Sequence, residues 1–537
     1  MIGRDLQDWH VEAEPDIRDS APGAAGDSMK NSADQRLPVL RLVLLTAAAV
    51  GIHGYHLGVE DAEIHLPAAK KLLDPRLYPF ADEFFMTHEH MSLFSPMLAW
   101  SARLTHLPMD CIFLVWYVAG IFALLASCWM LAAISFTSPR ARWCAMLVIT
   151  AVLTMPATNT GLLLMDPYLT PRSLSTPLSI FALATFLERR HVLAALAIVA
   201  TGLIHPQMGA LLVALLAVIG LAEKFKPKAP SRVQAMAGGA VILPGGFPLT
   251  PAQGPYREAL YARDFFFLSN WNWYDWIGML APLAILAWFW KGELRGTTAE
   301  FRRLSFALIP FGVVSIVIAA IFSSSHTLDM FARLQPLRSF QLITLGFVVY
   351  LGGVVGEYAA RGRIWVLPAI FLPLAGGMFF LARDTYSHSP QTELPWLKTS
   401  SNDWVNTLLW VRENTPKDAV FAVDSRYFLD QGVDVHGFRV ISERSDLADY
   451  FKDGGVVAMF PNLADEWKQM SNATYGLNHF RAHDFTRLAG EYPVTWTVIH
   501  GPTPAGMDCP YQQRGYSVCR IPGVMGQASA PASATGE

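Results

Sequence analysis

From Val39 to Ala382, apolar runs alternate with short charged loops, a pattern that confines this part of the chain to a helical bundle in a membrane. Each run must close its backbone hydrogen bonds internally, because the hydrocarbon core offers no water to do so. Charged residues make up 16% of the chain, against about 25% in a soluble protein. The shortfall lies in these runs, and after Arg383 the composition is that of a soluble protein. The expectation is a polytopic α-helical membrane protein with a small C-terminal α/β domain. A net charge of −3 gives no sign of a nucleic-acid partner, no Lys/Arg run looks like a polyanion site, and none is expected.

A crossing helix needs about 20 apolar residues. Such runs lie at Val39–Leu57, Met109–Phe136, Trp143–Leu164, Ser173–Leu187, Trp276–Trp290, Leu304–Phe322, Phe340–Gly356 and Ile364–Ala382, with a shorter one at Val233–Phe247. Val192–Ala222 is too long for one crossing and is broken by His205-Pro206-Gln207, where proline removes a donor. Lys/Arg balance favours reading it as two spans. About 14 Lys/Arg then fall in about 40 residues of short loops on one side, against about 9 in about 110 on the other. This predicts about 11 spans, a cytoplasmic N-terminus and an external C-terminal domain. Residues 1–37 read as a disordered cytoplasmic tail, 38–383 as the membrane domain with a long external loop over 58–108, 384–523 as the external domain, and 524–537 as a second disordered tail. The first span would serve as an uncleaved signal anchor.

In an oxidising compartment Cys509 and Cys519 can close a hairpin whose turn is Gln512-Gln513-Arg514-Gly515. Cys111, Cys128 and Cys144, in or beside apolar runs, read as small hydrophobes. In the C-terminal region helices are expected at Asp403–Asn414, Asp446–Phe451 and Leu463–Met470, and strands at Ala419–Val423, Phe438–Ser442, Thr495–Ile499 and Tyr516–Ile521.

Unusual polar residues collect on the external side. Glu60, Asp61 and Glu63 follow the first span, and an acid held in a cavity there can have a raised pKa and act as a base; His65 would share a helix face with Asp61. Asp166 and Arg172 flank the second external loop, where Arg172 can clamp a phosphate and Asp166 can join Asp61 or Glu63 in holding a divalent cation. His205 sits at the helix break. Arg333 and Arg338 flank a proline turn and suit an anionic headgroup or pyrophosphate. Trp271, in the run Asn270-Trp271-Asn272-Trp273-Tyr274-Asp275-Trp276, suits a sugar platform. Each set also has a plainer reading: helix caps, a local Asp–Arg pair, interfacial snorkelling and an aromatic belt.

The layout resembles the GT-C superfamily of membrane glycosyltransferases, and a bacterial GT-C-like group without assigned substrate. The residues that carry the likeness are Glu60-Asp61 after the first span, Asp166-Pro167-Tyr168-Leu169-Thr170-Pro171-Arg172-Ser173, His205-Pro206, Arg333-Leu334-Gln335-Pro336-Leu337-Arg338 and Trp410-Val411-Arg412-Glu413-Asn414-Thr415-Pro416. The resemblance implies transfer of a sugar from a polyprenyl-phosphate donor to a glycan, lipid or protein acceptor at the periplasmic face of a bacterial inner membrane. Asp61 would be the base, with Glu60 and Glu63 beside it, and Arg172, Arg333 or Arg338 would hold the donor phosphate. The metal-dependent branch has a second acidic pair. Here Asp166 stands alone, so a Mg2+ or Mn2+ ion on Asp61 and Asp166 stays an open expectation. A transporter or lipid flippase, and a non-catalytic relative that binds lipid or a partner, are the alternatives.

Overall fold

The computed structural model describes residues 37–222, 250–361, 363 and 365–522, together with the backbone of 223–224. The expected span Val233–Phe247, the loop before it and nearly all of both expected tails lie outside the described residues.

The chain is mostly helical, with a small sheet near its C-terminus. Among the described residues, four helical stretches are long and apolar enough to cross a membrane: Met109–Ser135, Ala299–Phe322, His326–Tyr358 and Val366–Thr385. Shorter apolar helices run over Val39–His53, His191–Ile204 and Pro206–Ala222. In the last long helix Leu372 and Phe380 are 63% and 72% exposed, as a lipid-facing surface requires. Close packing in the bundle depends on small residues. Gly352 and Gly356 of Ser339–Tyr358 face Pro139–Ala151, where an added Cβ would crowd Ala145 and Cys144.

We number the helices that position the site α1 (Val39–His53), α2 (Ala62–Leu73), α3 (Glu83–Glu89), α4 (Phe94–Thr105), α5 (Pro139–Ala151), α6 (Arg172–Leu187), α7 (His191–Ile204) and α8 (Pro206–Lys224). The stretch expected to be helical from Trp143 to Leu164 is so only to Ala151. Pro156 disfavours helix at the residue before it. Thr158 and Gly161 turn with φ of 50° and 68°, and Pro156 then pairs with Leu163 as an antiparallel bridge. The following loop delivers Asp166 to the head of α6. The stretch 192–222 is two helices, α7 and α8, and His205 between them is extended (φ −146°), as a residue before proline should be.

The C-terminal region comprises α9 (Asp403–Asn414), β1 (Val420–Ala422), α10 (Phe438–Ser442), β2 (Ser445–Asp446), α11 (Lys452–Met459), α12 (Ala464–Ala473), α13 (Ala482–Glu491), β3 (Trp496–His500), β4 (Asp508–Gln513) and β5 (Tyr516–Arg520). The sheet order is β2-β1-β3-β5-β4. β1 is parallel to both β2 and β3, whereas β3, β5 and β4 are antiparallel. β4 and β5 form the expected hairpin, with Arg514 and Gly515 at positive φ in its turn and the Cys509–Cys519 disulfide across it.

Two local expectations fail, and tertiary contacts explain both. Phe438–Ser442 reads as a strand from its branched residues but forms α10. The amides of Arg439 and Val440, free at a helix N-terminus, donate to the buried Glu63 carboxylate at 2.7 and 3.0 Å. Asp446–Phe451 reads as a helix, yet Ser445–Asp446 pairs with β1 and the helix starts only at Lys452. The Asp449 carboxylate accepts the Lys452 amide at 2.6 Å, and this fixes that start.

Glu63 is therefore a joint between the segment that follows α1 and the C-terminal domain. A Cβ at Gly437 would overlap the Glu63 side chain. Gly437→Ala should cost about 1–3 kcal/mol through this overlap. Thermal unfolding in detergent will measure the loss, and faster protease cleavage of the 386–402 linker should accompany it.

Candidate functional site

The loop that follows α1 and the head of α6 meet at one guanidinium. Arg172, 5% exposed, donates to the Asp61 carboxylate at 2.9 Å and to Asp166 at 2.9 and 3.1 Å. Asp166, 4% exposed, also accepts from the Thr170 hydroxyl at 3.0 Å. The sequence places these groups by local chemistry: Asp61 leads into α2 after the turn that follows α1, and Pro171 begins the turn that lets Arg172 fold back onto Asp166. Burial raises the pKa of Asp61, but Lys452 and Arg172 outweigh it and hold the carboxyl well below the usual range. The raised pKa expected of Asp61 is thus reversed, because two cations face it. Burial pushes Asp166 up, against Arg172.

Lys452 arrives from α11. Its ammonium pairs with Glu60 and lies 3.5 Å from Asp61. Arg263 reaches the same region and donates to the Phe451 carbonyl. Arg338 donates to Gln207 at 2.8 Å, while its buried Nε has no partner. Gln207 in turn donates to the Leu334 carbonyl at 2.8 Å, so the helix break at His205 and the proline turn at Pro336 brace each other. Arg338, His205, His65 and His88 are near enough to affect one another's charge. His65 contacts Glu89 at 3.4 Å and stacks edge-on with His88, centroids 5.8 Å apart.

Of the expected site residues, Glu60, Asp61, His65, Asp166, Arg172, His205 and Arg338 gather around this clamp, and three do not. Glu63 is committed to the α10 amides. Arg333 donates to the Met459 carbonyl at 3.2 Å, bracing the C-terminal domain. Trp271 is 7% exposed, with its ring 6.4 Å from Trp276, so it offers no open sugar platform; Trp273 and Tyr274 are the exposed rings of that run. Sequence reading gave no site role to Lys452, Arg263 or His88. Each looks like an ordinary loop or surface residue until the chain folds back; only Gln207, beside His205 in the helix break, carried a signal.

A divalent cation does not fit this donor set. Asp61 and Asp166 converge on Arg172, whose charge occupies the place between them. Among the described residues no group of three or more His, Cys, Asp or Glu has metal-holding geometry.

Residues 402–468 match the family model described as a domain of unknown function, DUF6798. The match takes in α9 to α11 and the head of α12, so both Lys452 and the α10 amides that hold Glu63 lie within it. No curated protein sequence matches the chain.

Burial, with His65 adding to it, lowers the His88 pKa to about 3. Unfolded, the same imidazole titrates near pH 6.5. Between those values the unfolded state binds a proton that the folded state refuses, so stability falls as pH drops from 6.5 toward 3. His88→Gln should flatten that limb, and melting temperatures measured from pH 7 to 4 will show it.

Proposed function

We propose that the chain is a membrane glycosyltransferase of GT-C type that takes a sugar from a polyprenyl-phosphate donor. One observation carries this reading: Asp61 and Asp166 hold Arg172 in a buried clamp at one end of the helices, with Arg338 beside it. Acid for the acceptor and cations for a phosphate then lie together. About 11 spans, a cytoplasmic N-terminus and a periplasmic C-terminal domain in a bacterial inner membrane belong to the same proposal. The Lys/Arg bias of the loops and the Cys509–Cys519 bridge support that orientation.

In this reading the donor phosphate binds Arg338 and Arg172. Drawn toward the phosphate, Arg172 loosens its hold on Asp61, while Lys452 stays on Glu60. The Asp61 carboxylate then takes the acceptor hydroxyl proton while the acceptor oxygen bonds to the anomeric carbon. The bond from that carbon to the phosphate oxygen breaks, and polyprenyl phosphate leaves as the anion held by the arginines.

Asp61→Asn should lower transfer of radiolabelled sugar by about 10²–10⁴-fold, the usual worth of a general base, with donor binding retained. Arg338→Gln should instead weaken donor binding. Both can be read in right-side-out and inverted vesicles. Transfer that survives Asp61→Asn unchanged rejects this role. A folded protein that binds polyprenyl phosphate but transfers nothing from any donor is a lipid-binding protein.

A further inference from the structure

Arg426 lies in the loop after β1, outside the clamp. Its guanidinium carbon sits 4.5 Å from the Tyr450 ring centroid and 4.9 Å from that of Tyr475. Two aromatic contacts therefore fix the planar group. Its Nε is buried without a partner, and among the described residues the guanidinium has neither a hydrogen bond nor an ion pair.

The nearby acids are spent elsewhere. Asp424 accepts the Arg426 amide at 3.0 Å. Asp430 faces His500 at 3.5 Å. Glu258 takes Lys468 at 2.7 Å and the Tyr450 hydroxyl at 3.1 Å. An arginine that is held on its faces but unpaired at its edge presents a donor fork shaped for a carboxylate or a phosphate. Lys468, 6.0 Å from the Tyr450 ring, sits beside it with its charge paired to Glu258. Tyr475, 60% exposed, offers a ring face against which a sugar can pack.

This cradle is continuous with the clamp through three successive residues. Tyr450 covers Arg426, the Phe451 carbonyl receives Arg263, and Lys452 pairs with Glu60 near Asp61. The Cα atoms of Tyr450 and Lys452 can be at most about 7 Å apart, so one short backbone segment carries groups of both places. We propose that Arg426, Tyr450 and Tyr475 form a subsite for an anionic sugar, carried by the acceptor and read through its carboxylate or phosphate. Its assignment to the acceptor rests on the glycosyltransferase reading; binding of the anion does not.

The test uses the full chain in lipid nanodiscs, titrated calorimetrically with glucuronic acid, glucose 6-phosphate, inorganic phosphate and neutral glucose. A charged sugar should bind at least tenfold more tightly than glucose. Preference for glucuronic acid or for glucose 6-phosphate distinguishes the carboxylate from the phosphate, and inorganic phosphate shows how much the ring adds. Arg426→Gln should abolish the preference, and Arg426→Lys, which keeps the charge but loses the fork, should weaken it. Arg338→Gln should weaken phosphate binding at the clamp without removing the Arg426-dependent preference for glucuronic acid over glucose. Equal binding of glucose and the charged sugars, or a preference that survives Arg426→Gln in a protein with wild-type melting temperature, overturns the proposal. If Arg426→Gln fails to fold, Tyr475→Ala at the exposed ring decides: unchanged affinity for every probe overturns it. Arg426-dependent binding without sugar transfer in any assay keeps the subsite and discards the glycosyltransferase.

Discussion

A guanidinium held between two carboxylates fixes the end of the helix bundle where the candidate site lies. Arg172 joins the loop that follows α1 to the loop that precedes α6, segments separated by more than a hundred residues. Taking Arg172 and Asp166 out of water costs several kcal/mol per ion, and pairing repays this only when geometry and further hydrogen bonds are good, while Asp61 stays half-buried. The Thr170 hydroxyl on Asp166 and the Lys452 ammonium near Asp61 supply part of that support. Removing Arg172 would strand Asp166, and removing Asp166 would leave Arg172 with Asp61 alone. The cluster is thus a weak source of net stability but a strong device for holding one geometry.

The C-terminal domain is part of this arrangement. It gives Lys452 to the acids of the first loop and the α10 amides to Glu63. Arg439, 2% exposed, ties the same segment together through Asp446 at 2.6 Å and Asp453 at 2.6 and 2.8 Å. With Arg439 as the shared cation, three acidic side chains can sit in a small volume. Burial still pushes the Asp446 and Asp449 carboxyls up.

Much of this was legible in the sequence because long apolar runs and charged loops leave few folds open. α1, the break at His205, α9 and the β4–β5 hairpin follow from hydropathy, proline and turn chemistry. Asp61, Asp166 and Arg172 stood out as ionisable residues beside apolar runs, and the structure brings them together. What failed was non-local. Phe438–Ser442 has strand composition but becomes a helix because Glu63, nearly 380 residues earlier, satisfies its amides. Glu63 looked like a third catalytic acid for the same reason, since its partners come from a distant segment. The stop of α5 at Ala151 was signalled by Pro156 but hidden by the apolar residues beyond it.

The seating of α10 on Glu63 bears on how the chain can be divided. Cut between Thr385 and α9, the membrane part would keep a buried-type acid with no amides to face, and Glu60 and Asp61 without their ammonium. The released piece would carry a helix start with open amides and a lysine aimed at nothing. Each half holds the counter-charges of the other, so neither is an independent module. A C-terminal domain taken from an unrelated chain would have to bring the same helix-start amides and the same ammonium to seat.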